Sequence, residues 1–126
     1  MPQLIAASTV LLVRDVVNSA NWYRDKLGFS IEGFWGEPPG FAIIKRDDQY
    51  IMFHNANPDL IKPNWKIADK TSNVYFWVKG IDELYQNFID SGATIDYTIY
   101  NTPWGTREFG INDPDEYDIS FGEILH

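Results

Sequence analysis

Val10-Leu11-Leu12-Val13-Arg14-Asp15-Val16 and Tyr75-Phe76-Trp77-Val78-Lys79-Gly80-Ile81 are two versions of one pattern, 65 residues apart. Each is an apolar run that reads as a strand and is followed by a helical stretch. Each helical stretch closes on a glycine return, Leu27-Gly28-Phe29-Ser30-Ile31 in the first copy and Ser91-Gly92-Ala93-Thr94-Ile95 in the second. Two copies at so long a period make a paired module, because an open array needs at least three repeats. Packing about a pseudo-twofold axis gives every inner-face residue of one copy a counterpart in the other. The cleft between the copies is then the place to look for function.

Working outward, residues 8–13 read as a strand ended by Arg14-Asp15. A helix follows, with Asn18 or Ser19 as the expected N-cap and Ala20, Trp22, Tyr23 and Leu27 as its apolar stripe. Residues 29–35, 41–46 and 49–54 read as three strands, separated by Gly36-Glu37-Pro38-Pro39-Gly40 and by the Asp47-Asp48 turn. This makes a βαβββ module over about residues 6–55. A connector over about 56–71, in which Trp65 stands alone, leads to a second module over about 72–123. The second module repeats the element order, with a strand near 73–78, a helix at 82–91, and strands at 94–100, 106–111 and 117–121. The expected fold is α+β. It is a single domain over 1–126, in which two βαβββ modules form a curved mixed sheet around a cleft with helices on the outer face.

Composition narrows the function. Eighteen acidic against ten basic residues give a net charge of -8, which argues against a nucleic-acid partner, since such binding draws on clustered Lys and Arg. The chain has no cysteine, so disulfides and thiolate chemistry are excluded and a reducing, cytoplasmic setting is expected. No segment has the length and apolarity of a membrane span, and no membrane partner is expected. Aromatic residues make up 16% of the chain, more than a small core alone calls for, so some of them are expected to line a surface. No activated nucleophile can be named, and no phosphate-binding glycine loop is present. Glu108 and Asp118 form a conceivable acid/base pair, although charged residues on a solvated strand face are the commoner explanation.

Val13-Arg14-Asp15-Val16, Trp22-Tyr23 with Leu27-Gly28-Phe29, and Asp113-Pro114-Asp115 before the last strand resemble the vicinal oxygen chelate superfamily, in its bleomycin-resistance-like branch. That superfamily includes glyoxalases, extradiol dioxygenases, fosfomycin resistance enzymes and bleomycin resistance proteins. The resemblance implies the paired-module fold and a homodimer. It also implies where a metal would be held, and at those four positions this chain carries Ser8, Met52, Asn73 and Ser120. None of these offers an imidazole or a carboxylate, so neither metal nor cofactor is expected. The turn that usually reads Asp-Pro-Asp-Gly has Glu116 in place of its glycine.

Strand alternation puts Ser8, Val10 and Leu12, and Asn73, Tyr75 and Trp77, on the inner face. Leu11, Val13, Val74, Phe76 and Val78 are left to face the helices. The expected ligand-binding set is Ser8, Phe34, Trp35, Met52, His54, Asn73, Tyr75, Trp77, Trp104 and Ser120, with no catalytic residue among them. The expected function is metal-free capture of a small molecule, a bleomycin-like or other aromatic or cationic compound, by stacking and cation–π contacts. The alternative is a lyase, isomerase or dioxygenase of the same superfamily with a relocated metal site or acid/base chemistry. A third reading is a scaffold that only dimerises.

Overall fold

A computed structural model describes residues 1–126. The first module runs β1 (Thr9–Val13), α1 (Val16–Leu27), β2 (Ser30–Trp35), β3 (Phe41–Arg46) and β4 (Gln49–Asn55). The connector is more ordered than its sequence suggests, with a 3-10 turn at Pro58–Leu60 and a short helix α2 (Asn64–Ile67). The second module runs β5 (Val74–Trp77), α3 (Ile81–Ser91), β6 (Thr94–Asn101), β7 (Thr106–Asn112) and β8 (Asp118–Ile124).

Both helices close on a left-handed glycine, Gly28 at φ 74° and Gly92 at φ 82°, as the sequence predicts. The start of α1 differs from expectation. Asp15 is its N-cap, its carboxylate accepting from the amides of Val17 and Asn18, so the helix begins three residues earlier than the polar pair Asn18-Ser19 suggests. Glu123 does the same for α3 from across the sheet, its Oε1 accepting from the amides of Gly80 and Ile81 at 3.1 and 3.0 Å.

The expected pair of βαβββ modules is observed, and their strand orders correspond: β1-β4-β3-β2 in one sheet and β5-β8-β7-β6 in the other. The first pair in each sheet is parallel and the rest are antiparallel. No strand pairing joins the sheets within the chain, so the expected single curved sheet is present as two sheets of four, and β1 and β5 each leave an open edge.

The reason lies in the core. Twenty buried apolar side chains form one cluster that draws on both modules, including Leu11, Val13, Ile44, Ile51 and Phe53 from the first sheet and Val74, Phe109, Ile111, Ile119 and Phe121 from the second. Phe88 of α3 packs against Phe109 and Phe121, while Tyr23 of α1 packs against Phe29 and Phe53. Burying each such side chain stabilises the fold by about 1.5–3 kcal/mol, so both sheets turn their helix-covered faces toward the shared interior. Their other faces are left pointing away from it.

Polar bonds clasp the modules. The Asp113–Tyr117 turn reaches the β1–α1 corner, where Asp113 accepts from the Tyr23 hydroxyl at 2.6 Å and Asp115 accepts from the Arg14 amide and Nε at 3.1 and 2.9 Å. The Tyr117 hydroxyl donates to the Leu12 carbonyl at 2.6 Å. Glu116, at the position where glycine is usual, takes the left-handed conformation at φ 68°. The connector holds it there: the Trp65 indole donates to its carbonyl at 2.6 Å and Lys66 pairs with its carboxylate. Strain in that conformation is about 1 kcal/mol, whereas the exposed ion pair is worth less. Glu116→Gly is therefore expected to match or exceed the parent in stability and Glu116→Ala to lose about 0.5–1 kcal/mol, as read by urea denaturation.

Candidate binding faces

The outward faces of the two sheets carry Trp35, Met52, His54, Tyr75, Trp77 and Ser120 of the expected set, and they differ in chemistry. On the first sheet, Val10 and Leu12 are 59% and 44% exposed although strictly apolar, while Leu11 between them and Val13 after them are buried. Register places Met52 beside Val10, His54 beside Leu12, and Phe41 and Ile43 beyond them on the same face. Trp35 pairs with Phe41 and its ring lies over Gly33, where an added methyl would meet it at 2.8 Å. The wall is apolar and aromatic, and His54 at its end bonds through Nδ1 to the Asn55 carbonyl at 2.7 Å.

The second sheet presents tyrosines and acids. Trp77 is 65% exposed and packs edge-on against Tyr75 at 4.9 Å between ring centroids. Tyr75 lies down over Gly122, and Tyr97 over Gly110, so closely that a methyl on either glycine would collide with the ring above it. These seats let both rings lie along the strands. The Tyr75 hydroxyl donates to Glu108 Oε2 at 2.6 Å, and the Thr106 hydroxyl reaches the same oxygen at 3.4 Å. The Tyr97 hydroxyl donates to Ser120 Oγ at 2.9 Å, and Ser120 donates on to Asp118 Oδ1 at 2.5 Å. Tyr100 extends the wall, 6.1 Å from Tyr97.

Burial and charge tune these groups. Burial, with Asp96 alongside, pushes the Asp118 carboxyl up to about 7, and burial raises Asp113 in the clasp to about 6. Burial and the neighbouring Glu108 raise the Tyr75 phenol to about 12, so it stays a donor at all physiological pH.

Not every expected site residue joins these faces. Tyr75, Trp77 and Ser120 stand together on the second sheet, and Trp35, Met52 and His54 on the first. Ser8 is exposed just ahead of β1, and Trp104 is 68% exposed in the β6–β7 turn. Phe34 pairs with Ala42, a core residue, and so belongs to the opposite face from Trp35. The Asn73 side chain is taken by the connector, its Oδ1 accepting from the Asn64 amide at 2.8 Å. The four positions where relatives of this type would hold a metal are thus divided, Ser8 and Met52 with one sheet and Asn73 and Ser120 with the other. No group of three or more His, Cys, Asp or Glu side chains is placed to hold a metal ion.

Sequence reasoning missed Tyr97, Tyr100 and the glycine seats. The bulges between Ile95 and Tyr97 and between Tyr97 and Tyr100 break the period-two alternation of β6 and hide which face its tyrosines share. Two hollows flank these walls. One, of about 670 Å³, wraps the open edge of β5 along Tyr75, Phe76 and Trp77. The other, of about 690 Å³, is a polar groove at the ends of α1 and α3, lined by Lys26, Arg46, Asn87 and Ser91 among others.

Duplicated βαβββ modules with exposed aromatic residues on their outward sheet faces set the architecture of the chain. The sequence pattern of the glyoxalase/bleomycin resistance protein/dioxygenase superfamily matches residues 5–121, and the chain belongs to that family. It is 27% identical over 133 aligned positions to a bleomycin resistance protein of Geobacillus stearothermophilus, covering 94% of this chain and 96% of that one. Among solved structures, it is similar to a bleomycin-binding protein from Streptomyces verticillus complexed with copper(II)-bleomycin, with TM-score 0.70, 24% identity, and 100% and 99% of the two chains covered. It also superimposes on a glyoxalase-related enzyme from Clostridium phytofermentans, with TM-score 0.79 at 19% identity and 98% of each chain covered. No helix is long and apolar enough to cross a membrane.

Two predictions concern the second sheet. Gly110→Ala lifts the Tyr97 ring off its seat, and the expected cost is about 1–3 kcal/mol in denaturant unfolding. Asp118 and Asp113 have folded-state values above the ordinary 3.8, so protonation favours the fold. Their stabilising effect is complete near pH 4 and is lost as pH rises through about 6 to 7. Melting temperature should fall between pH 5 and pH 8, and Asp118→Asn should flatten that fall.

Proposed function

We propose that this protein captures a planar aromatic small molecule, of the kind represented by bleomycin-like glycopeptides, by sandwiching it between aromatic sheet faces without chemical turnover. The observation that carries the reading is the exposure of Val10, Leu12, Trp35 and Trp77 on faces that strand alternation turns away from the core. Exposed apolar faces of this kind mark binding surfaces. The kinship with bleomycin resistance proteins favours binding over catalysis.

The working unit in this proposal is a homodimer. Within one chain both faces point away from the shared core, so a closed cleft needs a second copy, with the apolar wall of one set against the tyrosine wall of its partner. A twofold axis then generates two equal clefts per dimer. Capture takes place in the cytoplasm, in keeping with a chain that has no cysteine.

Titration with metal-free bleomycin, followed by Trp fluorescence, tests the proposal. Saturable quenching at micromolar ligand with one site per chain is expected, and Trp77→Ala should weaken binding by about tenfold, or about 1.4 kcal/mol. Sedimentation should give a mass about twice the 14.6 kDa of the chain. Absence of quenching up to about 100 μM ligand contradicts the bleomycin-like class.

A further inference from the structure

Glu108 is a carboxylate whose place in the sheet its own chain does not explain. It is 7% exposed, in mid-strand on β7, and faces outward between Gly122 on one side and Tyr100 on the other. Six ion pairs occur in the chain, and none includes it; the arginines and lysines that form them pair with Asp25, Asp47, Asp48, Asp82, Asp115 and Glu116. A carboxylate withdrawn from water without a cation is unfavourable unless something else offsets its charge. What it has are two neutral donors, the hydroxyls of Tyr75 at 2.6 Å and Thr106 at 3.4 Å. Asp118, the other buried acid on this face, differs: Ser120 donates to it, and burial beside Asp96 favours its protonated form.

The surroundings of Glu108 are those that attract organic cations. Tyr75 and Trp77 meet edge-on, Tyr97 and Tyr100 do likewise, and the two pairs stand on the same face. Ring faces draw quaternary or delocalised cations, most strongly when water is excluded. Gly122 lets the Tyr75 ring lie along the sheet, with its hydroxyl on the Glu108 carboxylate.

Resting on the reading of this face as a ligand wall, we propose that Glu108 is the counter-ion for an aromatic cation, a flat ring system bearing a fixed positive charge, and that the Tyr75 hydroxyl holds the carboxylate in place for it. Trp77 and Tyr100 supply the flanking ring faces. The specificity this confers is for charge: an uncharged ring of the same shape stacks on the wall and leaves Glu108 without its partner.

The test uses N-methylquinolinium and its uncharged isostere 1-methylnaphthalene, each titrated into the full chain and followed by backbone amide chemical shifts. The wild type is expected to bind the cation at least tenfold more tightly than the isostere. Glu108→Gln should remove that gap while leaving the isostere's affinity unchanged, and Tyr75→Phe, which takes away the hydroxyl that holds the carboxylate, should narrow it. Raising NaCl from 10 to 300 mM should weaken cation binding alone, a measurement on the wild type that stands even where Glu108→Gln fails to fold. Equal affinities for the two probes in the wild type, a gap that survives in folded Glu108→Gln, or a salt-insensitive cation would each overturn the assignment while leaving the wall as a ligand surface. Failure of both probes to shift any resonance on this face would overturn the assignment and the wall reading together.

Discussion

One shared core decides how this molecule can work. Each sheet has a helix-covered face made of Val, Ile, Leu and Phe, and the chain buries both of these faces in a single cluster. Period-two alternation then leaves the opposite faces no choice: for every Leu11 that turns inward, a Val10 and a Leu12 turn outward. The exposed apolar faces are a geometric consequence of the core.

The repeat explains the architecture, and its divergence explains the chemistry. Equivalent positions carry Val10, Leu12 and Met52 on one wall and Tyr75, Trp77 and Ser120 on the other. The first wall offers apolar contact area, and the second sets hydroxyls and acids beneath its rings. The superfamily resemblance puts a metal ligand at position 120, and on the second sheet that position carries a hydroxyl. There Ser120 is the middle link between Tyr97 and Asp118.

Much of this was legible in the residues. The 65-residue offset gave the modules, the two return glycines ended both helices, and the alternation in Val10–Val13 and Val74–Trp77 separated core from surface. Other features were hidden for physical reasons. Asp15 capped α1 ahead of a more obvious polar pair, because a cap depends on backbone conformation as well as on residue type. Bulges in β6 erased the signal that would have placed Tyr97 and Tyr100 on the outward face. The tolerance for Glu116 at a left-handed turn depends on Trp65 and Lys66, 51 and 50 residues away in sequence, and no local reading could find them. Whether the two sheets join edge to edge or turn apart depends on how α1 and α3 pack, which is a tertiary choice.

The most direct measurement of the central claim is a map of amide chemical-shift changes on adding metal-free bleomycin to the isotopically labelled protein. Changes are expected to concentrate on the outward faces, at Val10, Leu12, Met52 and His54 on one sheet and at Trp77, Tyr97, Tyr100 and Glu108 on the other. Changes confined to the polar groove of Lys26, Arg46, Asn87 and Ser91 at the helix ends, with both sheet faces silent, would contradict that claim.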